Sequence, residues 1–110
     1  MTEDQMIQEF TARAIKGMEY LDEYAPGWID KIDLANLNMV NTRFCVLGQV
    51  FGNYWDHVVR DGAFWENVPR HHKVSDYGFQ VDNDDYESIG SPYVALADVW
   101  DALITERRES

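Results

Sequence analysis

The sequence predicts a mainly α-helical protein, a small single-domain bundle of three to four helices over residues 1–110. Three stretches place apolar residues at steps of three and four, the spacing that puts them on one face of a helix. Capping residues, proline and glycine stand at the ends of these stretches. Hydrophobic residues make up 45% of the chain and aromatic residues 14%, a composition that supports a buried core and is atypical of disorder.

The first predicted helix covers residues 2–24. Thr2 is the expected N-cap, and Gln5, three residues later, completes a capping box. Pro26 and Gly27 are expected to end the helix. Its predicted apolar stripe consists of Ile7, Phe10, Ala14, Met18 and Leu21.

The second predicted helix covers residues 42–60 and follows an irregular segment in which a short strand at 32–34 is the alternative. Asn41 or Thr42 is expected to cap it. Gly48 and Gly52 would each cost about 1 kcal/mol relative to alanine in a helix interior. We therefore expect another helix, or Trp28, to approach closely there. The predicted buried face consists of Leu47, Val50, Phe51, Tyr54, Trp55 and Val58.

The last predicted helix covers residues 92–107, with Ser91 as N-cap and Pro92 at the first helical position. Between the second and last helices, Gly62 is a helix terminator, and residues 74–81 are compatible with a short β-hairpin. The last helix carries an apolar stripe of Leu96, Val99, Trp100, Leu103 and Ile104. The expected core joins Phe10, Met18, Leu47, Phe51, Trp55, Leu96 and Trp100.

The chain is strongly acidic, with 20 Asp and Glu against 9 Lys and Arg and a net charge of −11. Proteins that bind nucleic acids usually present a basic face, so direct nucleic-acid binding is not expected. The densest acidic run is a predicted loop that holds Asp82, Asp84, Asp85 and Glu87, the candidate partner-binding surface. Such a surface either attracts a basic partner or only keeps the protein soluble.

The sequence also predicts where the protein resides. It has no run of about 18 apolar residues that would span a membrane. It begins MTEDQ, without the basic start of a secretory signal. Its single cysteine cannot form an internal disulfide. We therefore expect a cytoplasmic protein without a membrane span.

No pattern typical of a catalytic, cofactor or metal site is present, so none is predicted. Cys45 stands in an apolar run and is expected to be buried and inert, the alternative being a thiol activated at a helix N-terminus. Adjacent His71 and His72 would point in different directions and rarely share one ion. The run from Asp82 resembles a calcium loop, but it has Glu87 where such a loop needs glycine.

Several short patterns are similar to a known family. The central ones are Trp28-x3-Ile32-Asp33-Leu34-x2-Leu37-x-Met39 and Cys45-Val46-Leu47-Gly48-Gln49-x-Phe51-Gly52. The later ones are Gly78-Phe79 and Trp100-x3-Ile104-x2-Arg107-Arg108. Together they resemble small proteins encoded by actinobacteriophages and actinobacterial genomes, over residues 28–108. The resemblance implies a small accessory protein of a phage or its host, and it carries over no activity, cofactor or site residue.

Two functions from different classes stay open. The first is binding and modulation of a host protein, with mimicry of DNA by ordered carboxylates as a special case. The second is a small ligand-binding protein or enzyme, built on the pair Asp30 and Asp33, or on Cys45 and His57 near an aromatic pocket. Besides the run from Asp82 to Glu87, the carboxylates that mimicry would use are Glu9, Glu19, Asp22, Glu23, Asp30 and Asp33.

Overall fold

The computed structural model describes residues 2–81 and 92–110, and these residues are mainly helical with no β-strand among them. This confirms the predicted fold class. The α-helices are α1 (Glu3–Tyr24), α2 (Val46–Phe51), α3 (Ala63–Asn67) and α4 (Pro92–Glu109). Short 3₁₀ turns occupy Trp28–Lys31, Leu34–Asn36 and Val74–Tyr77, and a π-helical turn occupies Asp56–Arg60.

Helix α1 begins as the sequence predicts. The Thr2 hydroxyl accepts from the Gln5 backbone N–H at 3.2 Å, and the Gln5 side chain accepts from the Thr2 N–H at 2.9 Å. The two bonds form the expected capping box and satisfy two backbone donors that the helix itself leaves unpaired. The buried face of α1 differs from the predicted stripe at one position. Met6 is buried there in place of Ile7, which is 39% exposed.

The single helix predicted over residues 42–60 is wrong. Residues 42–45 form a turn, and Gly52 interrupts the helix that follows. Asn41 caps a turn instead of a helix, accepting from the N–H groups of Arg43 and Phe44 at 2.8 and 3.2 Å. Helix α2 starts only at Val46, after the N-cap Cys45, whose sulfur accepts from the Gly48 N–H at 3.3 Å. It ends at Gly52, whose φ of 93° lies outside the helical region. The chain then turns through Asp56–Arg60 and reaches Gly62.

This bend also corrects the predicted core. Leu47 and Val50 are buried on α2, and Val58 is buried after the bend, as predicted. Trp55 instead lies 57% exposed, and Phe51 is only partly buried. A continuous helix would have kept Trp55 on the face of Leu47, but the turn at Gly52 rotates it out of the core.

Two short segments that the sequence left open as strands form turns instead. Residues 74–81 hold the 3₁₀ turn Val74–Tyr77 in place of a hairpin, because Asp76 accepts from the Lys73 N–H at 2.8 Å and so closes a helical turn. The 32–34 segment pairs with no strand among the described residues. Asp33 there caps the turn Leu34–Asn36 by accepting from the Ala35 N–H at 3.1 Å.

Trp100 of α4 lies in the middle of the core with no exposed surface. Its ring stacks on Phe79, with 5.6 Å between centroids, and meets Trp28 edge to face at 6.3 Å. Its indole N–H donates to the Gly78 carbonyl at 2.6 Å. The core therefore joins α4 to both the Trp28 turn and the segment that follows Val74–Tyr77.

The C-terminal end of α4 forms hydrogen bonds with the last turn of α1 and with the chain that follows it. Arg108 donates to the carbonyls of Ile29 and Ile32, both at 2.7 Å. Arg107 binds the Asp22 carboxylate at 2.7 Å, and the Trp28 indole N–H donates to the same carboxylate at 2.9 Å. The patterns around Trp28 and at the C-terminus, far apart in sequence, thus meet in space and act in packing.

Candidate partner-binding surface

The predicted acidic surface of Asp82, Asp84, Asp85 and Glu87 lies outside the described residues, as does the predicted N-cap Ser91. The acidic surface therefore stays a prediction. Among the described residues, an apolar groove lies between α1 and α4.

A groove of about 390 Å³ runs between these two helices. Its floor is apolar, with Ile7 from α1 and Val99 and Leu103 from α4, and Ala95 and Ala102 widen it because their side chains are short. Ile7 is 39% exposed, and Leu103 is partly buried. The full lining consists of Glu3, Ile7, Thr11, Ala95, Asp98, Val99, Ala102, Leu103 and Glu106.

The charged residues of this groove are all acidic. Glu3, Asp98 and Glu106 are exposed, and among the described residues no Lys, Arg or His belongs to the lining. The groove thus presents an apolar floor beside three carboxylates. Sequence reasoning missed it because Ile7 was assigned to the buried stripe, whereas the packing of α4 on α1 leaves that residue at the edge.

The carboxylates considered for DNA mimicry are only partly free. Glu9 pairs with Arg13, Asp22 binds Arg107 and Trp28, and Asp33 caps the turn at Leu34. Three of the six named acids therefore serve the fold, while Glu19, Glu23 and Asp30 are exposed.

Cys45 is buried, as predicted. Burial raises the pKa of its thiol, and the backbone hydrogen bond from Gly48 opposes the shift only in part. A thiol with a raised pKa stays protonated near neutral pH and is a poor nucleophile. Position at a helix N-terminus therefore does not activate it.

Cys45 also lines a small cavity of about 210 Å³ together with Tyr54 and Phe79. The Tyr54 hydroxyl donates to the Gln80 side chain at 2.7 Å, and burial raises the pKa of Tyr54 to about 12. Both titratable groups are therefore neutral at physiological pH. The volume is below the range of about 300–1,000 Å³ that is usual for small-molecule sites.

His57 does not join Cys45, so the pair considered from the sequence is not formed. Its ring stacks on Phe51, with 3.7 Å between centroids, and its Nε2 lies 3.1 Å from the Tyr20 hydroxyl. Asn67 donates to the same hydroxyl at 3.2 Å, which leaves the hydroxyl proton for Nε2. The hydrogen bond between His57 and Tyr20 therefore joins the π-helical turn to α1.

This environment predicts how stability depends on pH. Burial lowers the pKa of His57, and the nearby Asp61 carboxylate opposes the shift. The unfolded chain, with a His pKa near 6.5, then binds a proton more readily than the folded one. Stability from His57 should be complete above about pH 6.5 and decline as pH falls below it, by at most about 1.4 kcal/mol per pH unit.

Urea unfolding of the wild type and His57→Gln between pH 8 and 5 measures this decline. The variant should be less stable at pH 8, and its stability should fall less steeply below pH 6.5. His71→Gln is the matched control, since it makes the same substitution at an exposed histidine. Equal slopes for His57→Gln and the wild type would contradict the assignment.

The two remaining histidines considered as metal ligands have different environments. His72 Nδ1 lies 2.7 Å from the Tyr77 hydroxyl, while His71 is exposed. In the described part of the chain, no three His, Cys, Asp or Glu side chains stand close enough to hold a metal ion. No helix among the same residues has the length and apolar character needed to cross a membrane.

Comparison with family models, with curated proteins and with solved structures finds no match to this chain.

Proposed function

We propose that this chain is a small acidic accessory protein of a phage or its host, which binds and modulates a host protein in the cytoplasm without catalysing a reaction. The observation that carries the proposal is the groove between α1 and α4, where exposed Ile7 and partly buried Leu103 stand beside three carboxylates. Exposed apolar surface rimmed by polar groups is typical of protein interaction sites. The phage or host context comes from the resemblance of the Trp28 and Cys45 patterns.

Mimicry of DNA is supported less well. A mimic needs rows of free carboxylates, and Glu9, Asp22 and Asp33 are bound within the protein. Binding of a small molecule at Cys45 and His57 is also supported less well, because the cavity at Cys45 is small and His57 is bonded to Tyr20.

The experiment is capture of partners from an actinobacterial lysate by the tagged protein at 0.1 M and 1 M salt. Attraction between the acidic surface and a basic partner should weaken over this range, because the Debye length shortens from about 10 Å to about 3 Å. We expect a specific partner at low salt and much less of it at high salt. Absence of any partner, or capture that is indifferent to salt, would refute the proposal.

Two matched triple variants identify the acidic surface that acts. One neutralises the groove rim with Glu3→Gln, Asp98→Asn and Glu106→Gln, and the other neutralises the predicted loop with Asp82→Asn, Asp84→Asn and Asp85→Asn. Each removes three negative charges, so a loss that depends only on net charge is the same in both. We expect the groove variant to lose more of the partner. Equal capture by both variants and the wild type would show that neither surface contributes.

A further inference from the structure

We infer that the groove between α1 and α4 receives a basic amphipathic helix of the partner protein. This inference rests on the proposed function and specifies its partner. Helices commonly bind by laying an apolar face into a groove, with anchors at positions i, i+3, i+4 and i+7. The groove has the length, floor and charge that such a ligand requires.

The length follows from the lining residues. On α1 they run from Glu3 to Thr11, which is about 12 Å of helix, and on α4 from Ala95 to Glu106, which is about 16 Å. Anchors at i and i+7 of a bound helix stand about 10 Å apart. Two turns of a ligand helix therefore fit along the groove.

The floor suits aliphatic anchors. Ile7, Val99 and Leu103 supply apolar contact, and Ala102 leaves space above α4 because its side chain is a single methyl group. Ala102 is itself exposed. Covering these side chains removes apolar surface from water, which is the main favourable term in such association.

The negative charge of the groove favours a positively charged partner helix. Carboxylates at Glu3, Asp98 and Glu106 would flank the polar side of a bound helix, so lysine or arginine there would be attracted and acidic residues repelled. A second copy of this chain fits poorly. In a two-fold dimer the same carboxylates would face each other, between two chains of net charge −11.

The test uses a synthetic helical peptide of about 18 residues, or five turns, with leucine at the i, i+3, i+4 and i+7 positions and lysine elsewhere. Fluorescence anisotropy measures its affinity for the wild type, Ala102→Arg and Ala12→Arg. Both substitutions place arginine on an exposed helical alanine, which a helix tolerates. Only Ala102 lines the groove, so Ala12→Arg controls for the added charge.

We expect Ala102→Arg to weaken peptide binding by about tenfold or more, since it fills the groove and adds a like charge. Ala12→Arg should change binding by less than about twofold, because Ala12 does not line the groove and the added charge acts only through screened attraction. A second peptide with serine in place of leucine should bind much more weakly. Equal effects of the two arginines, or equal binding of both peptides, would overturn the inference.

Two further outcomes separate this inference from the proposed function. If Ala102→Arg and Ala12→Arg capture the same salt-sensitive lysate partner equally, the groove is not its site, while the proposed function stands. If sedimentation shows a wild-type dimer that Ala102→Arg dissociates, the groove is an interface between copies and the inference is overturned.

Discussion

Replacing Trp100 with alanine is expected to lower the free energy of unfolding by about 3–5 kcal/mol. The side chain has no exposed surface, stacks on Phe79 and meets the edge of Trp28. Its removal leaves a large cavity and takes the indole donor away from the Gly78 carbonyl. Because small domains are stable by only about 5–15 kcal/mol, this loss is a large share of the total.

Urea unfolding followed by circular dichroism measures the loss. Trp55→Ala is the matched control, since that tryptophan is 57% exposed and its removal should cost less than about 1 kcal/mol. Trp100→Phe should fall between the two, because it keeps an aromatic ring but not the indole N–H. Equal losses for Trp100→Ala and Trp55→Ala would contradict the position of Trp100 in the core.

Gly48→Leu is expected to destabilise the protein by about 1–3 kcal/mol, and Gly48→Ala should also destabilise it. A Cβ at this position would lie 2.3 Å from the Thr42 carbonyl oxygen and 2.7 Å from that of Arg43. These are backbone atoms, which cannot rotate away as a side chain can. The clash should outweigh the gain of about 1 kcal/mol that alanine otherwise brings to a helix.

Thermal unfolding of both variants tests this expectation. Ala12→Leu is the control, because it adds the same side chain to an exposed position of α1 and should change stability little. Higher unfolding temperatures for both Gly48 variants would contradict the close approach. The sequence predicted a close approach at Gly48, but the element that makes it is the turn before α2, not another helix or Trp28.

The predictable parts of the fold are those with local signals. The capping box at Thr2 determines the start of α1 from residues within one turn, and Pro92 marks the first residue of α4. The middle of the chain is different. Its bend depends on the φ of Gly52 and on a hydrogen bond of 2.7 Å from the Tyr54 N–H to the Thr42 carbonyl, which joins residues twelve positions apart.

Gln49 illustrates how much a motif can reveal. Its side chain accepts from the Asp33 N–H at 2.6 Å and donates to the Phe44 carbonyl at 3.0 Å. The motif therefore acts in packing, but the segments it joins could be known only from the fold.

The groove was less predictable than the core. The period of three and four placed Ile7 on the apolar face of α1, but the crossing of α4 decides which edge of that face is covered. Gly17 shows the same limit, because a side chain there would collide with the Tyr77 carbonyl, and that close approach depends on how the Val74–Tyr77 turn lies on α1.

The central claim is that a partner binds between α1 and α4, and amide chemical-shift mapping with the leucine–lysine peptide tests it most directly. We predict that the largest shifts fall on Ile7, Ala102 and Leu103, with little change at exposed Val59 and Trp65. Largest shifts around Val59 and Trp65, with none along the groove, would contradict it.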